Sequence, residues 1–437
     1  MPVDLVLKDG IFVENGRETI RSVAIEAGKI EGIYKQREEP QHRESIDCRG
    51  LYILPGLVDI HVHLRDLKQT DKEDYETGTM AAAAGGVTTV VDMPNSSPPV
   101  LNKKTLDEKI ARALESRYVN VGFYAGIPHN IEYFDVQMLR DILGLKVYPH
   151  SPLDKESNYN KNRIRDCMKL ARASDIPLLF HPDSPASNIV PKDLEEFFFS
   201  HSCESEVNSL QSFIDAKIEY EARLHVCHVS CAATARLIHE NRAEHTLTAE
   251  VTPHHLFLAG GDFPNDDGAA KMLPPLRSPH DNRKLWEHLT RNYAIDCIAT
   301  DHAPHKKWEK TAPFLKASSG IPGLETVLPL MLTEVFEKRM SWIDYLRVCG
   351  SAPARILGLE TKGILTHGYD ADIVLARIQE GTISGNNFYS KAKITPFEGR
   401  RVLARVVTTI VGGKVVFKDG EFVLGPGFAG EVPVQKS

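Results

Sequence analysis

The stretch Leu57-Val58-Asp59-Ile60-His61-Val62-His63-Leu64-Arg65 holds the residues whose types and spacing could do chemistry. Apolar and polar residues alternate along it, as in a strand whose successive side chains point to opposite sides. The alternation predicts Asp59, His61, His63 and Arg65 on one face and Val58, Ile60, Val62 and Leu64 on the other. Two imidazoles one pleat apart on a rigid strand can hold one metal ion. Arg65 would reach an anion beside that ion. A strand whose polar residues face a wet interior explains a lone His-x-His equally well, so the rest of the chain has to decide.

The elements that must position these residues repeat along the chain. Strand-like runs at 57–63, 86–93, 119–126, 144–148, 176–181, 223–229, 245–251 and 296–300 alternate with stretches of helical length, such as Asp71 to Ala84 and Asp281 to Asn292. Eight such repeats predict an α/β fold, a TIM (β/α)8 barrel. An open doubly wound sheet is the rival, but no glycine-rich dinucleotide fingerprint follows an early strand. Gly85-Gly86 precedes a strand instead and reads as a helix stop. Residues 1–54 and 362–437 read as short strands separated by turns, neither long enough to bury a good core alone. They are expected to pair into one small β-sandwich around a catalytic barrel spanning 55–361.

Barrel function collects at the C-terminal strand ends. There the chain places His61-Val62-His63-Leu64-Arg65, Asp92-Met93-Pro94-Asn95, Lys146-Val147-Tyr148, His181-Pro182-Asp183, Cys227-His228-Val229-Ser230, Glu250-Val251-Thr252-Pro253-His254-His255 and Thr300-Asp301-His302-Ala303-Pro304-His305. Histidines on strands one, five and six with a carboxylate on strand eight favour a metal site over isolated hydrogen-bonded residues. His61, His63, His181, His228 and Asp301 are too many ligands for one four-coordinate ion. Two ions bridged by a shared group would use them all. Lys146 on strand four stands where a bridge is needed, and its ammonium would repel both metals. Carbamylation by carbon dioxide would turn it into a two-oxygen anion; a buried, ion-paired lysine is the plain alternative.

Bulk properties narrow the partners. With a net charge of -7 over 437 residues, no overall field attracts nucleic acid or an acidic membrane. An anionic substrate therefore needs local positive groups. The seven cysteines are scattered without a Cys-x-x-Cys pair, which fits a reducing compartment. No signal-peptide core or membrane-length apolar run is present, so a cytoplasmic location is expected.

In combination these motifs resemble the amidohydrolase superfamily and, within its cyclic amidohydrolases, the dihydroorotases. The carrying stretches are Gly56 to Arg65, Asp92-Met93-Pro94-Asn95, Gly144-Leu145-Lys146-Val147-Tyr148, Thr300 to His305, Gly320-Ile321-Pro322-Gly323-Leu324-Glu325-Thr326 and Thr395-Pro396-Phe397-Glu398-Gly399. The resemblance covers essentially the whole chain. It implies reversible hydrolysis of dihydroorotate to N-carbamoyl-L-aspartate, a step of pyrimidine (UMP) biosynthesis, with two zinc ions per chain. His61 and His63 would hold the first zinc, His181 and His228 the second, and N6-carboxylated Lys146 would bridge them. Asp301 would bind the first zinc and act as general base and acid. Arg65, Asn95 and His305 would hold the substrate carboxylate. Cys227 and Glu250 match residues that bind an extra metal in some relatives, although a small buried core residue also explains Cys227.

The resemblance is compatible with a homodimer and with association with an aspartate transcarbamoylase. Leu273 departs from it, because relatives usually carry a polar residue there, often Asn. That departure keeps an allantoinase or dihydropyrimidinase in view. A scaffold that has lost its metal is the remaining alternative, and here every ligand position is filled. The segment Pro149 to Asn162 is expected either to close over substrate or to be a plain surface loop.

Overall fold

The computed structural model describes residues 2–185, 191–242, 246–264 and 267–434. Five strands come from the N-terminal end: β1 (Val3–Glu14), β2 (Arg17–Glu26), β3 (Lys29–Tyr34), β4 (His42–Asp47) and β5 (Tyr52–Pro55). Eight more, β6 (Leu57–Val62), β7 (Val87–Asp92), β8 (Asn120–Ala125), β9 (Gly144–Val147), β10 (Leu178–Phe180), β11 (Leu224–Val226), β12 (Leu247–Val251) and β13 (Cys297–Ile298), pair in parallel in that order. The expected eight-strand barrel is thus present, each strand inside or overlapping its predicted run. His245, the first residue of the seventh run, lies outside the described residues.

Closure between β13 and β6 runs through the site itself. The Asp59 carboxylate accepts the Thr300 amide at 3.1 Å and the Thr300 hydroxyl at 2.5 Å. The His63 amide donates to the His302 carbonyl at 2.8 Å. The chemistry-bearing residues therefore sit on the seam that joins the first strand to the last.

The barrel strands are buried on both faces, as parallel strands covered by helices must be. Leu178, Phe180, Leu224 and Val226 pack outward with Phe213 and Ile214, whereas Leu179, Cys227 and Cys297 pack inward with Tyr124 and Ile60. Helix boundaries follow local capping. The helix Tyr75–Ala84 starts four residues later than the sequence suggests, because Asp74 takes the Thr77 amide as its N-cap. It stops at Gly85, and Gly86 adopts φ +76. The helix Pro279–Thr290 starts two residues earlier than expected, on a Ser278/Asp281 capping box with Pro279 in the first turn.

The four C-terminal strands are β14 (Ile373–Thr382), β15 (Arg401–Val411), β16 (Lys414–Lys418) and β17 (Glu421–Phe422). As expected, the chain ends meet: β5 pairs antiparallel with β14, giving one mixed nine-stranded sheet. It has a core of its own, with Leu5, Leu7, Val23, Ile25, Ile53 and Ile373 among its residues. The strands β4 and β5 were not foreseen. His42–Asp47 is mostly exposed and polar, so it lacks the apolar alternation that marks a half-buried strand.

One local expectation fails. Strict alternation along 57–65 would put Val58, Ile60, Val62 and Leu64 together. Instead Val58 and Ile60 join the inner cluster while Leu57, Val62 and Leu64 join the outer one. The register against β7 shifts between Asp59 and Val62, so one pleat is lost. The strand also ends at Val62, and Arg65 turns away at φ +58.

Candidate active site

Despite that shift, β6 delivers both of its imidazoles to one point. The Asp301 Oδ1 atom lies 3.3 Å from His61 Nε2 and 2.9 Å from His63 Nε2. The opposite ring nitrogens explain the aim: His61 Nδ1 is bonded to a Glu250 oxygen, and His63 Nδ1 faces Asn95 Oδ1 at 2.7 Å. Engaging the outer nitrogen fixes a ring's orientation and leaves the inner one for a ligand role. Glu250 is itself held on its second oxygen by His225 Nε2 at 3.0 Å, and His225 Nδ1 meets Thr248 Oγ1 at 2.9 Å. Burial pushes Glu250 up, but His61 and His225 more than reverse this and hold its carboxyl below the usual range.

The second pair of histidines follows β10 and β11. His181 Nδ1 and His228 Nε2 are 2.8 Å apart. Burial pushes His181 down to about 3, His63 down to about 4 and His228 well below its ordinary value. These rings are therefore neutral, the form that offers a lone pair to a metal. Burial pushes Asp301 up, and its contacts with the His61, His63 and His228 side chains bring it well below its ordinary value. His228 and Asp301 both sit in the left-handed region, at φ +34 and +48. Non-glycine residues rarely do so, and such conformations concentrate at functional sites.

A metal fits this donor set. His61 Nε2 and His228 Nδ1 are buried without a hydrogen-bond partner. Ligand atoms of His61, His228 and Asp301 lie within 4.8 Å of one another. A second group, His61, Cys227 and Glu250, meets the same limit. There both Glu250 oxygens are already bonded to imidazoles, and burial pushes the Cys227 thiol up, disfavouring the thiolate a metal needs.

Lys146 is fully buried, with its Nζ donating to Cys227 Sγ at 2.9 Å and standing 4.9 Å from the Tyr148 ring centre. Among the described residues it has no carboxylate partner, so the ion-paired alternative is not what the structure contains. A buried ammonium without a counter-ion is costly, which is a reason for this amine to be converted to an anion.

The remaining predicted residues, Arg65, Asn95 and His305, lie beside the first pair of histidines and one another. Arg65 is partly exposed; its Nε is buried without a partner, and its Nη2 approaches His305 Nε2 at 3.3 Å. Asn95 braces His63 through its oxygen. Asp92 has a scaffolding role, accepting from the Leu64 amide at 2.9 Å and the Tyr75 hydroxyl at 2.8 Å and pairing with Lys109 at 2.7 Å. At the end of strand seven, His255 is tied to Thr252 Oγ1 and the Pro274 carbonyl. The segment after strand four, 149–162, is pinned through Asp154, which accepts the His129 amide at 2.7 Å.

His225 and Thr248 went unnoticed as braces. The signal was there: in Leu224-His225-Val226-Cys227, alternation puts His225 and Cys227 on one face. Lys72 and Glu73 were also missed, because no spacing rule ties residues 72 and 73 to positions 305 and 302.

Residues 52–416 match the amidohydrolase family. The chain belongs to this family, and it is a hydrolase acting on cyclic amides. A protein of Methanosphaera stadtmanae named dihydroorotase is 34% identical over 96% of this chain and 97% of its own length. Dihydroorotases of Pyrococcus furiosus and Methanothermobacter thermautotrophicus are 34% and 36% identical, each aligned over 94% of its own length and over 96% and 94% of this chain. Among solved structures, the L-hydantoinase (dihydropyrimidinase) of Arthrobacter aurescens superposes with a TM-score of 0.92 at 27% identity, covering 99% of this chain and 100% of that one. The dihydropyrimidinase of Brevibacillus agri gives 0.86 at 23% identity, covering 98% of this chain and 97% of that one, a likeness of fold. Members of the family generally bind metal, in keeping with the donor set above. No helix among the described residues is long and apolar enough to cross a membrane.

Proposed function

We propose that this chain is a dihydroorotase, opening the ring of dihydroorotate to N-carbamoyl-L-aspartate and closing it in reverse. The observation that carries this reading is Arg65. Its guanidinium stands beside the Asp301 cluster with a buried, unpartnered Nε and, among the described residues, no carboxylate paired with it. A planar guanidinium is suited to two parallel hydrogen bonds with a carboxylate, and dihydroorotate carries one where a plain cyclic amide does not. The full-length relatives named dihydroorotase support the same choice.

His61 and His63 with Asp301 would hold one zinc, His181 and His228 a second, and a carboxylated Lys146 would lie between them. When bound, such ions supply a hydroxide at neutral pH and polarise the ring carbonyl. The chain's own residues do the rest. Arg65 and the Asn95 amide orient the substrate, leaving the ring amide toward Asp301. Asp301 takes the proton released on attack and returns it to the departing ring nitrogen. Glu250 and Asn95 keep the first pair of rings aimed.

A hydantoinase-type activity is the second reading, favoured by Leu273, an apolar side chain where a polar contact to the ring is expected. The deciding experiment compares dihydroorotate, hydantoin, dihydrouracil and allantoin on protein of measured metal content, with wild type and Arg65→Met. Dihydroorotate should be preferred by wild type, and Arg65→Met should raise its KM far more than that of an uncharged ring. Equal losses on charged and uncharged rings would overturn the reading.

A further inference from the structure

The anion-facing histidine has a second cation behind it. Lys72 Nζ lies 3.3 Å from His305 Nδ1 and is anchored by Glu309 at 2.7 Å. Glu309 in turn accepts the Lys306 amide at 2.9 Å, so the anchor is fixed to the same loop as His305. On its other side His305 Nε2 is 2.9 Å from the Ser319 carbonyl and 3.3 Å from Arg65 Nη2.

Two of these contacts, from Lys72 and to Ser319, select one protonation pattern, and the Arg65 approach is the one it leaves without a hydrogen bond. An ammonium has hydrogens to donate and no lone pair, so Nδ1 must accept from Lys72. The ring is neutral, with burial and the Arg65 and Lys72 cations pushing His305 down to about 3. Its single proton is therefore on Nε2, where the Ser319 carbonyl accepts it. Without Lys72 the opposite tautomer, in which Nε2 accepts from Arg65, is opposed by the Ser319 carbonyl alone, and it would present a lone pair toward whatever Arg65 holds. A lone pair repels a carboxylate, whereas an N–H binds it.

We propose that Lys72 is a positioning residue for substrate charge: with the Ser319 carbonyl it holds His305 in the Nε2–H tautomer, so that the ring edge beside Arg65 presents an N–H, shared between Ser319 and an anion carried by Arg65, and not a lone pair. The inference rests on the dihydroorotase reading for the identity of that anion, but not for the tautomer.

The test uses metal-loaded wild type, Lys72→Met and Lys72→Arg. Nitrogen-15 NMR of histidine-labelled protein, with His305→Gln to assign the signal, should show Nε2 protonated in wild type and in Lys72→Arg. Lys72→Met should show a tautomer mixture or the reverse form. In parallel, KM for dihydroorotate should rise about tenfold in Lys72→Met, the scale of one charge-assisted contact. Turnover of dihydrouracil, and kcat on dihydroorotate, should change less than twofold, and Lys72→Arg should restore most of the loss. An unchanged His305 tautomer in Lys72→Met overturns the proposal, as does equal damage to charged and uncharged rings. If wild type ignores dihydroorotate while the tautomer still follows Lys72, the functional reading has failed and the role of Lys72 stands.

Discussion

The two histidine pairs of the site are held in different ways. His61 and His63 each have the outer nitrogen on a fixed acceptor, Glu250 and Asn95, so their inner nitrogens are aimed before anything binds. His181 and His228 face each other at 2.8 Å, and His228 Nδ1 has no hydrogen-bond partner. Asp183 stands 3.9 Å from His181 Nε2 and is already bonded to His201 at 2.7 Å. The first pair is preorganised by the protein; in the second, among the described residues, the rings' one side-chain hydrogen bond is to each other. The difference teaches that equal ligand types need not make equal sites: what stands behind each ring decides how firmly it waits.

The sharpest break should come where the pairs converge, at Asp301. Asp301→Asn keeps the shape and one oxygen but removes the base. Turnover should fall by about 10³-fold or more, within the upper range for a positioned acid–base group, while metal content measured by atomic emission stays near that of wild type. Turnover within tenfold of wild type would remove Asp301 from proton transfer.

The asymmetry itself can be attacked through the braces. On stepwise chelation, wild type should release metal in two stages, the His181/His228 position first. Glu250→Gln or Asn95→Ala should weaken the His61/His63 position by roughly 10–100-fold, the usual cost of losing a partner behind a ligand. The two stages should then merge. A release profile identical to wild type would show that the braces do not separate the two positions.

How much of this could be read in the sequence depended on range. The barrel was legible because its strands carry dense apolar runs between helices of ordinary length, and the gathering of histidines around Asp301 because barrel strand ends converge. The strand β4 was not, since its exposed polar residues carry no alternation. The lost pleat in β6 was invisible because it comes from the register against β7, a property of the pair and not of either strand. Lys72 and His305 are 233 residues apart, and nothing local in either segment announces their contact. The bonds between Asp59 and Thr300, which close the barrel, are again long-range.

The smallest expected effect is on stability, and it separates the pairs by their surroundings. In metal-free protein His63 and His181 are buried and neutral, with pKa values pushed down to about 4 and about 3. Unfolding returns both to about 6.5, where they take up protons. A depressed value means that this stabilisation is complete above pH 6.5 and is lost as the pH falls through the folded value. At about 1.4 kcal/mol per unit, the two rings together should cost the metal-free protein on the order of 5 kcal/mol between pH 6.5 and 4.5. His63 is the less depressed because Asp301, 2.9 Å away, favours its proton through a hydrogen bond, whereas among the described residues the nearest carboxylate to His181, Asp183, stands at 3.9 Å and Lys146 opposes its proton. In urea titrations of metal-free protein from pH 7 to 3.5, His63→Asn and His181→Asn should each flatten the wild-type slope by a similar amount down to about pH 4. Below that only the His181 ring still resists its proton, so only His181→Asn should keep flattening the curve. If the two variants cannot be told apart below pH 4, the carboxylate beside His63 does not distinguish the pairs electrostatically.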